Sequence, residues 1–333
     1  MYPPDIDHIV KKFKLPEEKY TVLDLEEQQG WGTKVLLRLD FGDKGKYVLK
    51  GKDDNQIGGL LESSKLTEYF VLNKYLVRQP ILTKENKFLY TENYITWNVT
   101  KYIEGIDSNF SNYQKSTIES LIEHINGYME LTYGNENLAA KYNIEIVNKN
   151  NVFDSFKRVA DEKVSSVLLT LINSETVQLK DWLTNTRQNI LNIYQKNDNK
   201  AIIHGDLHNK NILTSTDSTS VAAIIDWDHC KFDLALLDIA TFTNQFYEHV
   251  VKVEKQHLLQ YFMKNLENIE FFSKILNDYE LIRQFQLTKT KWNSILFYAD
   301  LLIKYGDTTH EEDRFIATIK SEAHAWKALL HQQ

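Results

Sequence analysis

Apolar and polar residues alternate with a period of two along much of the first hundred positions, a pattern typical of β-strands. The alternating runs are Tyr20–Leu25, Val35–Phe41, Lys46–Lys50, Lys87–Thr91 and Tyr94–Tyr102. Short connections that contain Gly or Asp separate several of these runs and predict hairpin turns. Leu60–Leu76 instead has apolar residues at helical spacing. The pattern therefore predicts a small, mostly antiparallel sheet with one inserted helix.

Apolar spacings of three and four residues dominate the rest of the chain and predict helices. The predicted helices cover residues 113–133, Val152–Ile172, Thr176–Tyr194 and the chain from residue 232 to its end. Residues 201–228 interrupt this helical region with two apolar runs on either side of the polar turn Thr214–Ser220. This segment predicts a β-hairpin inside an otherwise helical part of the chain.

Glycine and proline are scarce and unevenly placed. Of 12 glycines and 4 prolines, eight glycines precede residue 106 and every proline precedes residue 81. Because these residues break helices and favour turns, their distribution supports a turn-rich first part and a helical second part. We predict an α+β fold with an N-terminal domain over residues 1–102 and a C-terminal domain over residues 103–333.

Charge and cysteine content narrow the possible partners and location. The net charge is −7, which argues against nucleic acid and anionic membranes as partners. Cys230 is the only cysteine, so no internal disulfide can form and a reducing compartment is expected. We see neither a secretory signal at the N-terminus nor a run of about 18 apolar residues. These features predict a soluble, cytoplasmic protein.

Two carboxylates and an amide are expected to meet at one end of the hairpin. Asn211 begins the first apolar run, Asp226 ends the second, and Asp206 lies in the loop just before the first. The outer ends of paired strands are neighbours, so the three side chains converge. Oxygen ligands of this kind suit Mg²⁺, which takes one or two protein carboxylates together with substrate phosphates.

The spacing of these residues also matches the requirements of phosphoryl transfer. In protein kinases H-R-D-x-x-x-x-N is followed by D-F-G; here H-G-D-x-x-x-x-N is followed by D-W-D. In this interpretation Asp206 accepts the proton of the attacking hydroxyl, while Asn211 and Asp226 hold the metal. The alternative is a polar loop capped by Asp and Asn side chains. The joint spacing, with a strand on each side, favours the functional interpretation.

These motifs resemble the aminoglycoside phosphotransferase-like family of small-molecule kinases. The resemblance is carried by H-G-D-L-H-x-x-N at residues 204–211 and I-I-D-W-D at residues 224–228, and it extends to L-D-I-A at residues 237–240. It implies a two-lobed protein-kinase-like fold that uses ATP and Mg²⁺. It also implies a supporting role for Asp238.

The resemblance further implies nucleotide-binding residues in the first hundred positions. Lys50, at the end of a strand, is similar to the lysine that holds the α- and β-phosphates of the nucleotide. Glu68 is similar to the helix glutamate that pairs with this lysine, and Glu62 is the alternative partner.

The phosphate loop and the hinge follow from the same resemblance. Gly30 and Gly32 lie where the nucleotide phosphates are expected, although G-x-G-x-x-G is missing. Lys101 and Tyr102, within T-K-Y-I-E-G at residues 100–105, are similar to the hinge whose backbone groups meet adenine.

Several aspects of function stay open at this level. The A-P-E segment that protein kinases use to bind peptides is missing, which favours a small-molecule acceptor. The acceptor could be an aminoglycoside-like antibiotic, an amino alcohol or a sugar. The competing hypothesis is a catalytically weak or inactive protein of the kinase fold, with a binding or structural role such as that of spore-coat-associated members. The choice between ATP and GTP and the oligomeric state are also open.

Overall fold

The computed structural model describes residues 5–25, 33–53, 59–154, 175–195, 199–253 and 255–290. The chain divides into two compact units: residues 1–151 with 188–287, and residues 152–187 with 288–333. In the second unit, the guanidinium of Arg187 lies over the ring of Phe153, 4.4 Å from its centroid. The candidate site described below belongs to the first unit, whereas helix Glu175–Gln195 runs from the second unit into the first.

An antiparallel sheet of six strands forms the first part of this unit. In chain order, this part consists of two helices and the six strands: α1 (Ile6–Val10), β1 (Thr21–Asp24), β2 (Thr33–Asp40), β3 (Lys46–Asp53), α2 (Leu60–Leu72), β4 (Pro80–Ile81), β5 (Tyr90–Glu92) and β6 (Ile95–Lys101). The strand order is β1-β2-β3-β6-β4, and β5 also pairs with β6. Leu39, Leu49, Trp97 and Val99 form a buried core on one side of this sheet together with Phe13. The sheet is thus anchored by its apolar face.

Helices and two small sheets form the rest of the described chain. The helices are α3 (Lys115–Thr132), α4 (Glu136–Tyr142), α5 (Glu175–Gln195), α6 (Leu236–Val253), α7 (Gln256–Glu267) and α8 (Glu270–Ile275). The strands are β7 (Ile106–Asp107), β8 (Glu145–Ile146), β9 (Lys200–Ile203), β10 (Ile212–Thr214), β11 (Val221–Ile224) and β12 (Lys231–Leu234). One sheet has the order β11-β10-β7 and the other β8-β12-β9. None of the described helices meets the length and hydropathy needed to cross a membrane.

The predicted α+β class is confirmed, with two differences in its elements. Helix α2 ends at Leu72 rather than Leu76, and Lys74 has a left-handed φ of 63° that stops the helix from continuing. The helix predicted from residue 232 is wrong at its start, because Lys231–Leu234 is a strand that pairs antiparallel with β9. Its side chains are mostly buried between β8 and β9, so tertiary pairing decides its conformation.

The described structure does not test two other predictions, one for a helix and one for a domain boundary. The predicted helix Val152–Ile172 lies almost wholly outside the described residues. Strand β6 ends at Lys101, and a domain boundary between residues 102 and 103 stays a prediction.

Candidate active site

A cleft of about 430 Å³ contains the charged side chains predicted from the hairpin motif. We call one side of it the sheet wall, formed by β3, α2 and β6. The polar lining residues of these three elements are Lys50, Lys52, Ser63, Ser64, Thr67, Asn98 and Thr100. The other side, the hairpin wall, consists of the lining residues within Asp206–Asn211 and Ile225–His229. The predicted lysine, base and metal residues therefore line a single cleft.

The hairpin wall is built on the predicted pair of strands. Strands β10 and β11 pair antiparallel with Ile212 opposite Ile224, and the N–H of Ile225 donates to the carbonyl of Asn211 at 2.9 Å. Asp226 follows directly, which makes it a neighbour of Asn211 as the sequence predicts. The amide Nδ2 of Asn211 donates to the backbone oxygen of Asp206 at 2.9 Å. The three predicted residues thus come together at one end of the hairpin.

A buried carboxylate holds the turn that leads into Asp206. Asp238, at the start of α6, accepts hydrogen bonds from the backbone N–H groups of His204 and Gly205, at 2.6 and 2.9 Å, and from the hydroxyl of Tyr128 at 2.7 Å. Gly205 has a left-handed φ of 81°, and a Cβ there would lie 2.2 Å from the backbone oxygen of His229. Only glycine fits this turn. The supporting role implied for Asp238 is therefore visible as three hydrogen bonds.

His204 connects the loop to the hairpin and does not reach the cleft. It is fully buried; its Nδ1 accepts from the N–H of Asp206 at 3.2 Å, and its Nε2 donates to the carbonyl of Ile225 at 2.7 Å. Both ring nitrogens are used inside the protein. The imidazole thus fixes the position of Asp206 relative to Asp226.

The pKa values of Asp206 and Asp238 are shifted in opposite directions. Burial favours the protonated form of Asp206, but the hydrogen bond and charge of His208 outweigh it and lower the pKa of Asp206 below its ordinary value. His208 Nε2 lies 3.3 Å from Asp206 Oδ2. Burial raises the pKa of Asp238, against the effects of His204 and its hydrogen-bond donors. Asp206 therefore stays an ionised proton acceptor at neutral pH.

The lysines of the sheet wall form ion pairs with the hairpin wall. Lys50 Nζ lies 2.8 Å from Asp226 Oδ1 and 2.8 Å from Asp228 Oδ2. Lys52 Nζ lies 2.6 Å from the same Asp228 oxygen, and the Ser63 hydroxyl donates to the other oxygen at 3.1 Å. These contacts join β3 and α2 to the segment after β11.

The ion pairs shift the pKa values of both partners. Burial opposes the charge of Lys50, but the carboxylates of Asp228 and Asp226 outweigh it and raise the pKa of its ammonium. Burial also opposes the charge of Asp228, yet Lys50 and Lys52 hold the pKa of its carboxyl well below the ordinary range. Lys50 and Asp228 are therefore both charged at neutral pH.

Between the two carboxylates, Trp227 is packed into an aromatic cluster. Its ring contacts Phe70 of α2, Tyr128 of α3 and His204, with centroid separations of 4.9, 5.0 and 4.8 Å. Its indole N–H donates to the carbonyl of Ile224 at 3.1 Å. Asp226 itself has a left-handed φ of 62°, a strained conformation for a residue other than glycine. The buried indole holds this strained turn in place.

The predicted pairing of Lys50 with a glutamate of α2 is not found. Glu68 is exposed, because α2 turns its serine and threonine side chains towards the cleft and Glu68 lies on a different face. The alternative, Glu62, is half-buried, and its charge acts on the Cys230 thiol. The described partners of Lys50 are Asp226 and Asp228 instead.

The structure describes only some of the other residues that were predicted to bind the nucleotide. Gly30 and Gly32 lie outside the described residues. The N–H of Lys101 donates to the carbonyl of Gln79 at 2.7 Å, and that of Tyr102 to the carbonyl of Lys46 at 2.9 Å. Both N–H groups are therefore used in hydrogen bonds within the protein. A role of either residue in binding the nucleotide stays a prediction.

The polar residues of the cleft that sequence reasoning missed include Lys52, Ser63 and Asp228. Lys52 carried a usable signal, since it is two positions after Lys50 and shares its face of the strand. Asp228 stood inside the D-W-D motif without a role. Ser63 gave no signal, because a serine on a helix is ordinarily solvated.

The donor atoms of the site fit the hard cation that the motif implies. Asp226 offers a carboxylate and already takes the ammonium of Lys50 on one oxygen. Asn211 offers an amide oxygen, since its Nδ2 is occupied by the Asp206 carbonyl. Carboxylate and amide oxygens are ligands that Mg²⁺ accepts.

Comparison with known proteins agrees with this geometry. Residues 160–270 match the model of the APH family, described as the phosphotransferase enzyme family. This match confirms the predicted resemblance and the predicted enzyme class, a phosphotransferase. No curated protein sequence matches the chain.

Solved structures of antibiotic kinases share the fold at low sequence identity. The amicoumacin kinase hAmiN, in complex with AMP-PNP, Ca²⁺ and Ami, is 14% identical with a TM-score of 0.60, covering 96% of this chain and 93% of its own. The aminoglycoside phosphotransferase APH(3'')-Id from Streptomyces rimosus is 14% identical with a TM-score of 0.55, covering 87% and 99%. The GDP complex of aminoglycoside 2'-phosphotransferase-IIIa is 16% identical with a TM-score of 0.54, covering 89% and 98%. The predicted protein-kinase-like fold is confirmed.

Proposed function

We propose that this protein transfers the γ-phosphoryl group of ATP to a hydroxyl of a small molecule, in a reaction that depends on Mg²⁺. The observation that carries the proposal is the convergence of Asp206, Asn211 and Asp226 at one end of the cleft, with Lys50 on Asp226 at 2.8 Å. This is the set of groups that phosphoryl transfer requires.

Asp206 is the proposed base. Its loop is fixed by Gly205, His204 and Asp238, so the carboxylate is held in one position on the hairpin wall. Its lowered pKa keeps it ionised, and an ionised carboxylate can orient the acceptor hydroxyl and take its proton. Most of the expected rate enhancement comes from this positioning and from electrostatics.

Asn211 and Asp226 are the proposed metal ligands, and Lys50 binds nucleotide phosphate. When bound, Mg²⁺ would neutralise charge on the phosphate oxygens. Lys50 adds a fixed positive charge beside Asp226, in a buried position where electrostatic attraction is stronger than in water.

The acceptor is proposed to be a small molecule that carries a hydroxyl group. The names of amicoumacin kinase and the aminoglycoside phosphotransferases support an aminoglycoside-like antibiotic as the acceptor, and an amino alcohol or a sugar is the alternative. We place the reaction in the cytoplasm, where ATP is present and the buried thiol of Cys230 stays reduced.

The decisive experiment is a phosphorylation screen of aminoglycosides, amino alcohols and sugars with Mg²⁺ and either ATP or GTP, followed by mass spectrometry of the products. We expect one acceptor class to gain a phosphoryl group, and we expect Asp206→Asn protein to leave it unmodified. Nucleotide binding without transfer to any member of the panel would instead support a catalytically inactive protein of the kinase fold.

A further inference from the structure

Two lysines of β3 converge on a single carboxylate oxygen. Lys50 and Lys52 share a face of the strand, and their Nζ atoms lie 2.8 and 2.6 Å from Oδ2 of Asp228. The three side chains are only 14%, 8% and 7% exposed. Two ammonium groups this close repel each other, and burial removes the water that would screen them. Both lysines therefore depend on Asp228 to keep their positions.

Asp228 is itself held from both sides. Its second carboxylate oxygen accepts the hydroxyl of Ser63 from α2. Its backbone carbonyl packs against Gly59, where a Cβ would lie only 1.8 Å from the oxygen. The neighbouring Trp227 is fixed in the aromatic cluster. Asp228 is thus a rigid anchor, placed by contacts that involve neither lysine.

Once the site is loaded, Asp226 has to bind the metal as well as Lys50. In the present structure Lys50 is shared equally between Asp226 and Asp228, at 2.8 Å from each. In the proposed function, Asp226 also coordinates the metal, whose positive charge weakens the attraction between Asp226 and Lys50. Asp228 still holds Lys50 when Asp226 is engaged.

We propose that Asp228 is the positioning residue for both phosphate-binding lysines, and that Lys52 is a second cation which faces the nucleotide phosphates. The inference rests on the proposed function and deepens it. Asp228 takes the role that the sequence suggested for Glu68, although it comes from the hairpin wall and not from α2.

The rival role for Asp228 is that of an additional metal ligand. Its two carboxylate oxygens already accept three hydrogen bonds, from Lys50, Lys52 and Ser63. A metal ion at the same oxygens would displace at least one buried ammonium, which is costly. The geometry therefore favours the role of holding the lysines, and the experiment separates the two.

The test compares Asp228→Asn with Glu68→Gln, since each removes one negative charge. Steady-state kinetics with an acceptor from the screen give KM for the nucleotide, kcat and the Mg²⁺ concentration for half-maximal rate. We expect Asp228→Asn to raise the nucleotide KM by about tenfold or more. Exposed Glu68→Gln should change it less than about twofold. Asp228→Glu, which keeps the charge, should recover part of the loss.

Two results of this comparison would overturn the inference. One is an equal effect, or no effect, of Asp228→Asn and Glu68→Gln on the nucleotide KM. The other is a loss in Asp228→Asn that high Mg²⁺ fully restores, because that result identifies Asp228 as a metal ligand.

A stability cycle covers the case in which Asp228→Asn folds poorly or wild-type protein shows no transfer. Thermal unfolding is measured for Lys52→Met, Asp228→Asn and the double variant. We expect the double variant to lose less stability than the two losses added together, because it no longer strands a buried ammonium. Simple additivity would overturn the inference. Absence of nucleotide binding and transfer in wild-type protein would contradict the proposed function alone, since the cycle needs no nucleotide.

Discussion

The two walls of the cleft carry different charged groups, lysines on the sheet wall and mainly carboxylates on the hairpin wall, and hold them in different ways. On the hairpin wall, Asn211 is bonded to a backbone atom of its own loop. Behind this wall, buried His204 is bonded to backbone atoms of the loop and the hairpin. On the sheet wall, Lys50 and Lys52 are bonded to carboxylates that come from about 175 residues further along the chain. The hairpin wall is therefore defined locally, whereas the sheet wall has its charged groups in place only once the tertiary structure has formed.

This difference predicts separate consequences for chemistry and for nucleotide binding. Changes confined to the hairpin wall should affect the transfer step or the stability of the loop. Changes at the contact between the walls should affect the affinity for the nucleotide. The following variants test this division between chemistry and nucleotide binding.

The largest effect is expected from Asp206→Asn. Loss of the proposed base should lower kcat by a factor of about 10²–10⁴, while the dissociation constant for the Mg²⁺–nucleotide complex changes little. Single-turnover phosphorylation and equilibrium nucleotide binding measure the two quantities. Asp217→Asn, in the exposed turn of the same hairpin, is the control and should retain wild-type rates. A matching loss of nucleotide affinity in Asp206→Asn would contradict the separation of chemistry from nucleotide binding.

The next effect is expected from Asp238→Asn, which acts on the turn that leads into the hairpin wall. An amide cannot accept all three hydrogen bonds that the Asp238 carboxylate receives, so at least one buried donor loses its partner. The free energy of unfolding should fall by about 2–3 kcal/mol. Urea titration measures this loss, and Asp217→Asn should show a smaller one. If unfolding is unchanged in Asp238→Asn, the turn before Asp206 is held by other contacts.

A smaller effect is expected from Gly59→Ala, which acts at the contact between the walls. Gly59 and Gly134 both have left-handed φ angles, of 77° and 63°, but nothing lies within 4 Å of a Cβ on Gly134. Gly134→Ala should therefore cost only the backbone strain, about 1 kcal/mol. Gly59→Ala should cost more and also raise the nucleotide KM, because the Asp228 backbone has to move.

Urea titration and steady-state kinetics compare these two variants directly. Equal losses of stability, with an unchanged nucleotide KM in Gly59→Ala, would show that the start of α2 does not place Asp228.

The smallest effect is expected from His208→Gln and concerns pH. A base acts above its pKa, and His208 lowers the pKa of Asp206 against the effect of burial. Removing His208 should raise that pKa, so the acid limb of the kcat profile moves to higher pH. His257→Gln, an exposed histidine outside the cleft, should leave the profile in place. An acid limb that stays fixed in both variants would remove His208 from the control of Asp206.

The hairpin wall could be predicted from the sequence because its residues lie close together along the chain. Asp206 and Asn211 are five positions apart, and one hairpin brings Asp226 beside them, so spacing and strand pattern were sufficient. The same logic failed for the partner of Lys50. The rotation of α2 about its axis depends on Leu66 and Phe70 packing into the interior, and this turns serines rather than Glu68 towards the cleft.

Strand β12 shows the same limit in the fold. Lys231–Leu234 is only four residues long, too short for its pattern to separate a strand from a helical turn. Its conformation follows from pairing with β9, about thirty positions earlier. Partners that are distant in sequence decide such elements, and a single sequence carries no direct record of them.

The packing of Trp227 has a consequence for how the cleft could be switched off. Where a glycine follows the metal-binding aspartate in such a segment, the aspartate can rotate away while the rest of the cleft stays intact. Here the buried indole joins Asp226 to Asp228, so withdrawing one carboxylate would displace the other and release both lysines. An inactive form would have to break the aromatic contacts with Phe70, Tyr128 and His204 at the same time. Residues 226–228 are therefore expected to move together, with an all-or-none transition between their conformations.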